Sequence, residues 1–184
     1  NTWKGWRCST AKAYLAPARQ RGNLRIETEA MATGVDFDGA RASGVRYRQG
    51  GVMKVATAKA EVLLAAGAIQ SPQLLQLSGI GPEALLRQHG ITPRKVLSGV
   101  GENLQDHLQM RLIFECTKPI TTNDQLNSWL GQVKLGLQWL LFRSGPLAVG
   151  INQGGCFMRA LHDDAGQPVA ATPDIQFHVA TLSA

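Results

Sequence analysis

The sequence predicts an α/β domain followed by an α+β domain. A continuous apolar run at residues 62–66 stops at Gly67, and such a run is typical of a strand that is buried on both faces of a sheet. A helical pattern follows the run, which gives the strand, bend and helix order of an open α/β sheet. In the second half, one long amphipathic helix lies among strand-like segments, and this mixture indicates an α+β arrangement.

The first half begins with a short helix and continues with short alternating segments. Ser9 and Thr10 precede the helix, which begins at Ala11 and is limited by Pro17. Gly50 and Gly51 predict a tight hairpin turn, because residues without a Cβ readily adopt the positive φ angles of such turns. The predicted strands are residues 24–28, 35–37, 42–48 and 52–57.

A connection without long elements separates the two halves. After Gly67 the pattern predicts a short helix through residue 77 and a second helix at residues 82–89, which Gly90 ends. Residues 91–104 are rich in Gly, Pro and polar side chains, so we place a domain boundary near Gly101. The later elements are predicted as a strand at 107–115, a helix at 125–142, strands at 155–159 and 174–180, and a loop at 162–168.

The composition is that of a globular protein. Of the 184 residues, 44% are hydrophobic and 17% are charged, which excludes a disordered chain. The longest apolar stretch, residues 137–142, is far shorter than the roughly 20 residues of a membrane span. The net charge of +6 suits a polyanion, but the basic residues form no block, so a solvated surface explains them better than a nucleic-acid site.

Cysteines and histidines indicate neither a disulfide framework nor a metal site. Cys8, Cys116 and Cys156 are an odd number without a CxxC spacing, so a reduced, cytoplasmic setting is the simplest interpretation. The four histidines form no i, i+4 pair, which disfavours a metal site. The glycine-rich dinucleotide loop, the Walker loop and the nucleophile elbow are all absent from the sequence.

Residues 67–81 form the most informative motif. They read Gly-Ala-Ile-Gln-Ser-Pro-Gln-Leu-Leu-Gln-Leu-Ser-Gly-Ile-Gly, which resembles the second signature of the glucose-methanol-choline (GMC) family of flavin oxidoreductases. Two further segments resemble the family in the same order along the chain. They are Arg-Cys-Ser-Thr-Ala-Lys-Ala-Tyr-Leu at 7–15 and Gly-Val-Gly-Glu-Asn-Leu-Gln-Asp-His at 99–107.

The resemblance implies part of a Rossmann-like FAD-binding domain over residues 1–100 and part of an antiparallel-sheet-and-helix substrate domain over residues 101–184. It implies that Ala32 lies at the adenine edge of FAD and that Ala66 and Gly67 lie near the adenosine. From the residues alone, Gly67 either lets a cofactor approach the backbone or makes room for helix-on-sheet packing, and the resemblance favours the first. Ser71 is expected to cap the following helix at the same cofactor wall.

The implied reaction is oxidation of an alcohol to an aldehyde or ketone, with hydride transfer to the flavin. The family's pyrophosphate loop and catalytic histidine do not occur in these residues. We therefore expect the chain to be the central part of a longer enzyme, without catalytic residues and inactive by itself. Choline-specialised relatives carry a carboxylate two residues after the histidine of the third motif, and here that position is Gln109, which favours a neutral alcohol.

Other interpretations stay open. Trp129 can offer an aromatic face to a substrate, although a tryptophan on an apolar helix stripe is more often part of the core. The chain could instead be a non-catalytic interaction fragment, or a basic module that binds anions or nucleic acid. Unpaired strand edges in the first half also predict self-association of the isolated chain.

Overall fold

The chain forms two compact units, and each has its own secondary structure. The computed structural model describes residues 2–163, 165–167, 169 and 171–182. One unit comprises residues 26–109, and the other comprises the segments before residue 26 and after residue 109. The domain boundary predicted near Gly101 stays a prediction.

The helices and strands follow the chain in this order. They are β1 (Thr2–Trp3), β2 (Trp6–Arg7), a π-helical turn (Ala11–Leu15) that continues as α1 (Ala16–Ala18), β3 (Met31–Asp38), β4 (Arg41–Gln49), β5 (Val52–Thr57), α2 (Gly67–Leu77), β6 (Ile80–Gly81), α3 (Glu83–Gln88), β7 (Lys95–Val96), α4 (Thr122–Leu126), α5 (Trp129–Phe142), a 3₁₀ turn (Pro146–Ala148), β8 (Asn152–Met158) and β9 (Ile175–Ala180).

The unit of residues 26–109 is built on an antiparallel meander of β3, β4 and β5. Gly50 and Gly51 have φ angles of +57° and +79°, so both residues of the β4–β5 turn need the conformation that glycine adopts without strain. These strands and the hairpin turn confirm the sequence prediction for this region, and β5 has the predicted bounds.

Helix α2 packs against the meander through its C-terminal end. The Ser78 hydroxyl accepts a hydrogen bond from the Val35 N–H of β3 at 2.8 Å and donates one to the Leu74 carbonyl at 2.6 Å. Val35, Leu74 and Leu86 are buried and form the small core of this unit. The predicted helix at 82–89 is confirmed as α3, and Gly90 follows it with a φ of +70°.

Three predicted strands are not formed. Residues 24–28, 62–66 and 107–115 belong to none of the sheets in the described residues, and Leu63 of the apolar run is 79% exposed. The expectation of a doubly buried strand is therefore wrong for this chain. The physical reason is that a strand needs a neighbour for its backbone hydrogen bonds, and the described part of the chain supplies none to these segments.

The predicted helix at 125–142 is divided into α4 and α5. Thr121 caps α4 in a capping box with Asp124, and Ser128 caps α5 by accepting the Gly131 N–H at 3.0 Å. Each polar cap starts a new helix, so the apolar stripe is interrupted between them. Hydrogen bonds from the Thr121 hydroxyl and N–H keep the pKa of Asp124 below its ordinary value.

The N-terminal segment is fixed to α5 by aromatic and cationic side chains. The Trp139 indole N–H donates to the Gly5 carbonyl at 2.7 Å, and the Trp6 and Trp139 rings meet edge to face at 4.8 Å. The Arg143 guanidinium lies over both rings, at 4.3 Å from Trp6 and 4.2 Å from Trp139. These contacts are cation–π pairs, which stabilise most when they are shielded from water.

Strands β8 and β9 pair antiparallel, as the sequence predicts for this region. The Asp174 carboxylate accepts the N–H groups of Ala160 at 2.7 Å and Leu161 at 2.9 Å, and these two bonds lower the pKa of Asp174. Residues 164 and 168 of the predicted loop lie outside the described residues.

Across the described positions, no helix is both long enough and apolar enough to cross a bilayer. The three cysteines are free thiols.

Candidate functional site

The N-terminal end of α2 carries three of the four residues predicted to contact FAD. Ala66 precedes the helix, Gly67 is its first residue, and Ser71 lies in its second turn. The Ser71 hydroxyl accepts the Ala66 N–H at 3.0 Å. The helix begins at Gly67 without a side-chain cap, so the expectation that Ser71 caps the helix is wrong. Ser71 instead fixes Ala66, the residue before the helix.

Gly67 is required by its backbone conformation, and the space beside it is open. Its φ is +88°, which is a strained conformation for any residue with a Cβ. A Cβ built on Gly67 would meet no atom within 4 Å. In the described residues Gly67 therefore does not make room for helix-on-sheet packing, and the alternative of an approaching ligand is the one that this geometry favours.

The same end of α2 presents hydrogen-bond donors. The first N–H groups of a helix have no partner within the helix, and the helix dipole adds a partial positive charge there. Residues 65–70 are exposed, so these donors face open space. Backbone donors of this kind suit the oxygen atoms of a nucleotide, which is what a wall of an FAD site has to supply.

Ala32 lies apart from these residues along the fold. It is an exposed residue of β3 opposite Tyr47, beside a bulge between Ala32 and Gly34. The hydrogen bond that ties β3 to the α2 region is at the other end of the helix, between Val35 and Ser78. The structure brings Ala66, Gly67 and Ser71 together, and among the described residues no hydrogen bond links Ala32 to them.

The two predicted substrate residues belong to different units. Gln109 is the last residue of the unit of residues 26–109 and is exposed. Trp129 is the first residue of α5 and is 71% exposed, so it is not a core residue of the described chain. A role for either side chain in a substrate pocket stays a prediction. No group of three or more His, Cys, Asp or Glu side chains among the described residues is placed to hold a metal ion.

Comparison with known proteins places this chain in a family. The sequence profile of the GMC oxidoreductase family matches residues 1–109. The chain belongs to the GMC oxidoreductase family. The match ends at Gln109, where the unit of residues 26–109 also ends. This confirms the resemblance found in the motif at 67–81, and with it FAD as the cofactor of the family.

Curated relatives cover nearly the whole chain. It is 48% identical to the oxygen-dependent choline dehydrogenase of Serratia proteamaculans, over 96% of this chain and 31% of that protein. It is 45% identical to the enzyme of the same name from Chromohalobacter salexigens, over 96% of this chain and 30% of that protein. The chain thus spans about a third of the length of the relatives it matches.

Solved structures with the same fold include an FAD-dependent oxidoreductase from Chaetomium thermophilum, at a TM-score of 0.68 and 26% identity over 79% of this chain and 26% of that one. A formate oxidase matches at a TM-score of 0.70 and 26% identity, over 86% of this chain and 27% of that one. A formate oxidase variant from Aspergillus oryzae matches 99% of this chain and 34% of its own at a TM-score of 0.78, and at 22% identity it shows the fold alone. The predicted fold class, a partial Rossmann-like FAD-binding domain followed by part of a sheet-and-helix domain, is confirmed.

Sequence reasoning missed the hydrogen bond from Ala66 to Ser71. The Ser-Pro pair inside an apolar helix was the available signal, because a serine that is not at a cap needs another role for its hydroxyl. It also missed a recess that Arg46 and Arg94 line, since nothing in the sequence relates two arginines so far apart along the chain.

Proposed function

We propose that the complete protein is an FAD-dependent enzyme that oxidises an alcohol to an aldehyde or ketone. The observation that supports this most is the backbone at Gly67, which combines a positive φ, open space and free helix donors in a GMC oxidoreductase. When bound, FAD supplies the acceptor for the hydride. The catalytic base lies outside this chain, so the chain alone is inactive.

The residues of this chain form one wall of the cofactor site. The backbone of Ala66 and Gly67 contacts the adenosine part of FAD, and the free N–H groups at the start of α2 donate to its oxygen atoms. Ser71 holds the Ala66 N–H and so keeps that backbone in place. The backbone of Ala32 contacts the adenine edge.

In this proposal residues 1–100 belong to the FAD-binding domain of the complete enzyme, and residues 101–184 belong to its substrate domain. The proposed location of the enzyme is the cytoplasm.

The substrate is a neutral alcohol, with Gln109 and Trp129 at the pocket. A neutral amide at position 109 does not compensate a quaternary ammonium group, whereas a carboxylate would. Choline is the second candidate, because the relatives at 45–48% identity are named choline dehydrogenases. An exposed Trp129 ring is compatible with both, since it can pack on an apolar chain or on a cation.

Steady-state kinetics of the complete enzyme separates the two substrates. We expect a higher kcat/KM for a neutral primary alcohol than for choline. The variant Gln109→Glu should raise kcat/KM for choline about tenfold, which corresponds to about 1.4 kcal/mol of added attraction between the carboxylate and the cation. Gln105→Glu is the matched control, because it makes the same charge change four residues earlier and should leave the preference unchanged. Much faster turnover of choline than of neutral alcohols by the unmodified enzyme would refute the neutral-alcohol assignment.

A further inference from the structure

A recess in the unit of residues 26–109 is lined by two guanidinium groups. It measures about 430 Å³ and lies where β3, β4 and the segments at 77–79 and 91–94 meet. Arg46 and Arg94 both line it, with Asp36 and Thr92 beside them. It is at the C-terminal end of α2, and this helix of 11 residues is about 16 Å long at 1.5 Å per residue. The recess is therefore separate from the proposed FAD wall at Gly67.

Arg46 is held in place from two sides. Its Nε lies 2.8 Å from the Asp36 carboxylate, and both side chains are partly exposed. The guanidinium also lies over Gly34, its register partner on β3, where an added Cβ would stand 2.6 Å from Nη2. A glycine at position 34 is thus what allows this placement. The two Nη groups of Arg46 have no hydrogen-bond partner in the described part of the chain, so their N–H donors are free.

Arg94 is held in place in a different way. Its Nη1 donates to the Gly39 carbonyl at 2.9 Å, and its guanidinium carbon lies 4.9 Å from the centre of the Phe37 ring. These two contacts leave Nε and Nη2 without a partner among the residues described. The Thr92 hydroxyl has no hydrogen-bond partner there either.

We infer that this recess binds a small anion with a phosphate or carboxylate group. Two arginines against one aspartate leave a charge of +1 on the charged side chains that line it. The free donors are N–H groups of planar guanidiniums, which match the paired oxygen atoms of these anions. Because both guanidiniums are already fixed by other contacts, little side-chain entropy is lost when the anion binds. The volume is large enough for a small organic anion.

Equilibrium dialysis of the complete FAD-loaded enzyme tests this inference. Radiolabelled inorganic phosphate and radiolabelled acetate are the two probes, and chloride keeps the ionic strength constant so that non-specific attraction is the same throughout. We expect one saturable site per chain, with a Kd of about 1 mM or lower for at least one probe. The probe that shows saturable binding, phosphate or acetate, identifies the anion class.

The variants Arg46→Gln and Arg94→Gln should each weaken this binding at least about tenfold. Arg48→Gln is the matched control, because it removes the same charge from the same strand outside the recess and should change the affinity by less than about twofold. Thr92→Val removes one donor without changing the charge, and it keeps the test decisive if an arginine variant does not fold. Flavin absorbance should be equal in all variants, which separates this inference from the proposed function. Absence of saturable binding with both probes, or equal affinities in the Arg94→Gln and Arg48→Gln enzymes, would overturn it.

Discussion

The proposed FAD wall predicts a specific effect of a methyl group at Gly67. In Gly67→Ala the new Cβ would point into space that is open in this chain and that we assign to the cofactor. Gly51→Ala is a close control, because Gly51 has a φ of +79° against +88° for Gly67 and also has no atom within 4 Å of an added Cβ. Gly51 lies in the β4–β5 turn, for which we propose no cofactor contact.

The two variants should lose similar stability and differ in cofactor affinity. A residue with a Cβ at a positive φ costs about 1–2 kcal/mol, and this strain applies at both positions. An extra methyl group in a close contact costs about 1–3 kcal/mol more. Only Gly67→Ala would lose this amount of FAD-binding free energy, because we propose an FAD contact for Gly67 and none for Gly51. This corresponds to a Kd for FAD that is about 5- to 150-fold higher.

The assay is FAD titration of the deflavinated complete enzyme, followed by flavin fluorescence, together with chemical denaturation of each apo-protein. Similar unfolding midpoints in the two variants would show that the backbone strain is matched. An unchanged Kd for FAD in Gly67→Ala, or an equal increase in both variants, would refute the assignment of this backbone to the cofactor.

Two further predictions concern hydrogen bonds. Ser71→Ala removes the acceptor of the Ala66 N–H, so we expect a loss of about 1 kcal/mol in unfolding free energy and weaker FAD retention. Ser71→Thr keeps a hydroxyl and should largely restore both. Denaturation measures the unfolding free energy, and flavin absorbance measures FAD retention. The pKa of Asp174 is lowered from 3.8, so its contribution to stability is present above that value and is lost as the pH falls through the lower pKa of the folded state. The thermal midpoint should therefore fall more steeply in acid for the unmodified enzyme than for Asp174→Asn, and identical pH profiles would contradict this.

Elements with local causes were predictable from the sequence. The β4–β5 hairpin follows from Gly50 and Gly51 between two alternating segments, and α3 ends where Gly90 supplies its stop. These signals lie within a few residues of the structure they produce. The capping side chains Thr121 and Ser128 are equally local signals, and reading them as caps would have predicted the division between α4 and α5.

Elements that depend on distant partners were not predictable. The apolar run at 62–66 has the composition of a buried strand, but burial and pairing are properties of its neighbours, and the described chain gives it none. The motif at 67–81 identified the family, whereas the φ of Gly67 and the bond from Ala66 to Ser71 are properties of the folded backbone that no residue pattern gives.

The proposed FAD wall depends on what lies beside Gly67, the first residue of α2, in the complete enzyme. A crystal structure of that enzyme with FAD measures this directly. We expect atoms of the adenosine part of FAD in van der Waals contact with the Gly67 backbone, at about 4 Å or less. Side chains from another part of the enzyme packed against Gly67, with the nucleotide bound elsewhere, would contradict this assignment.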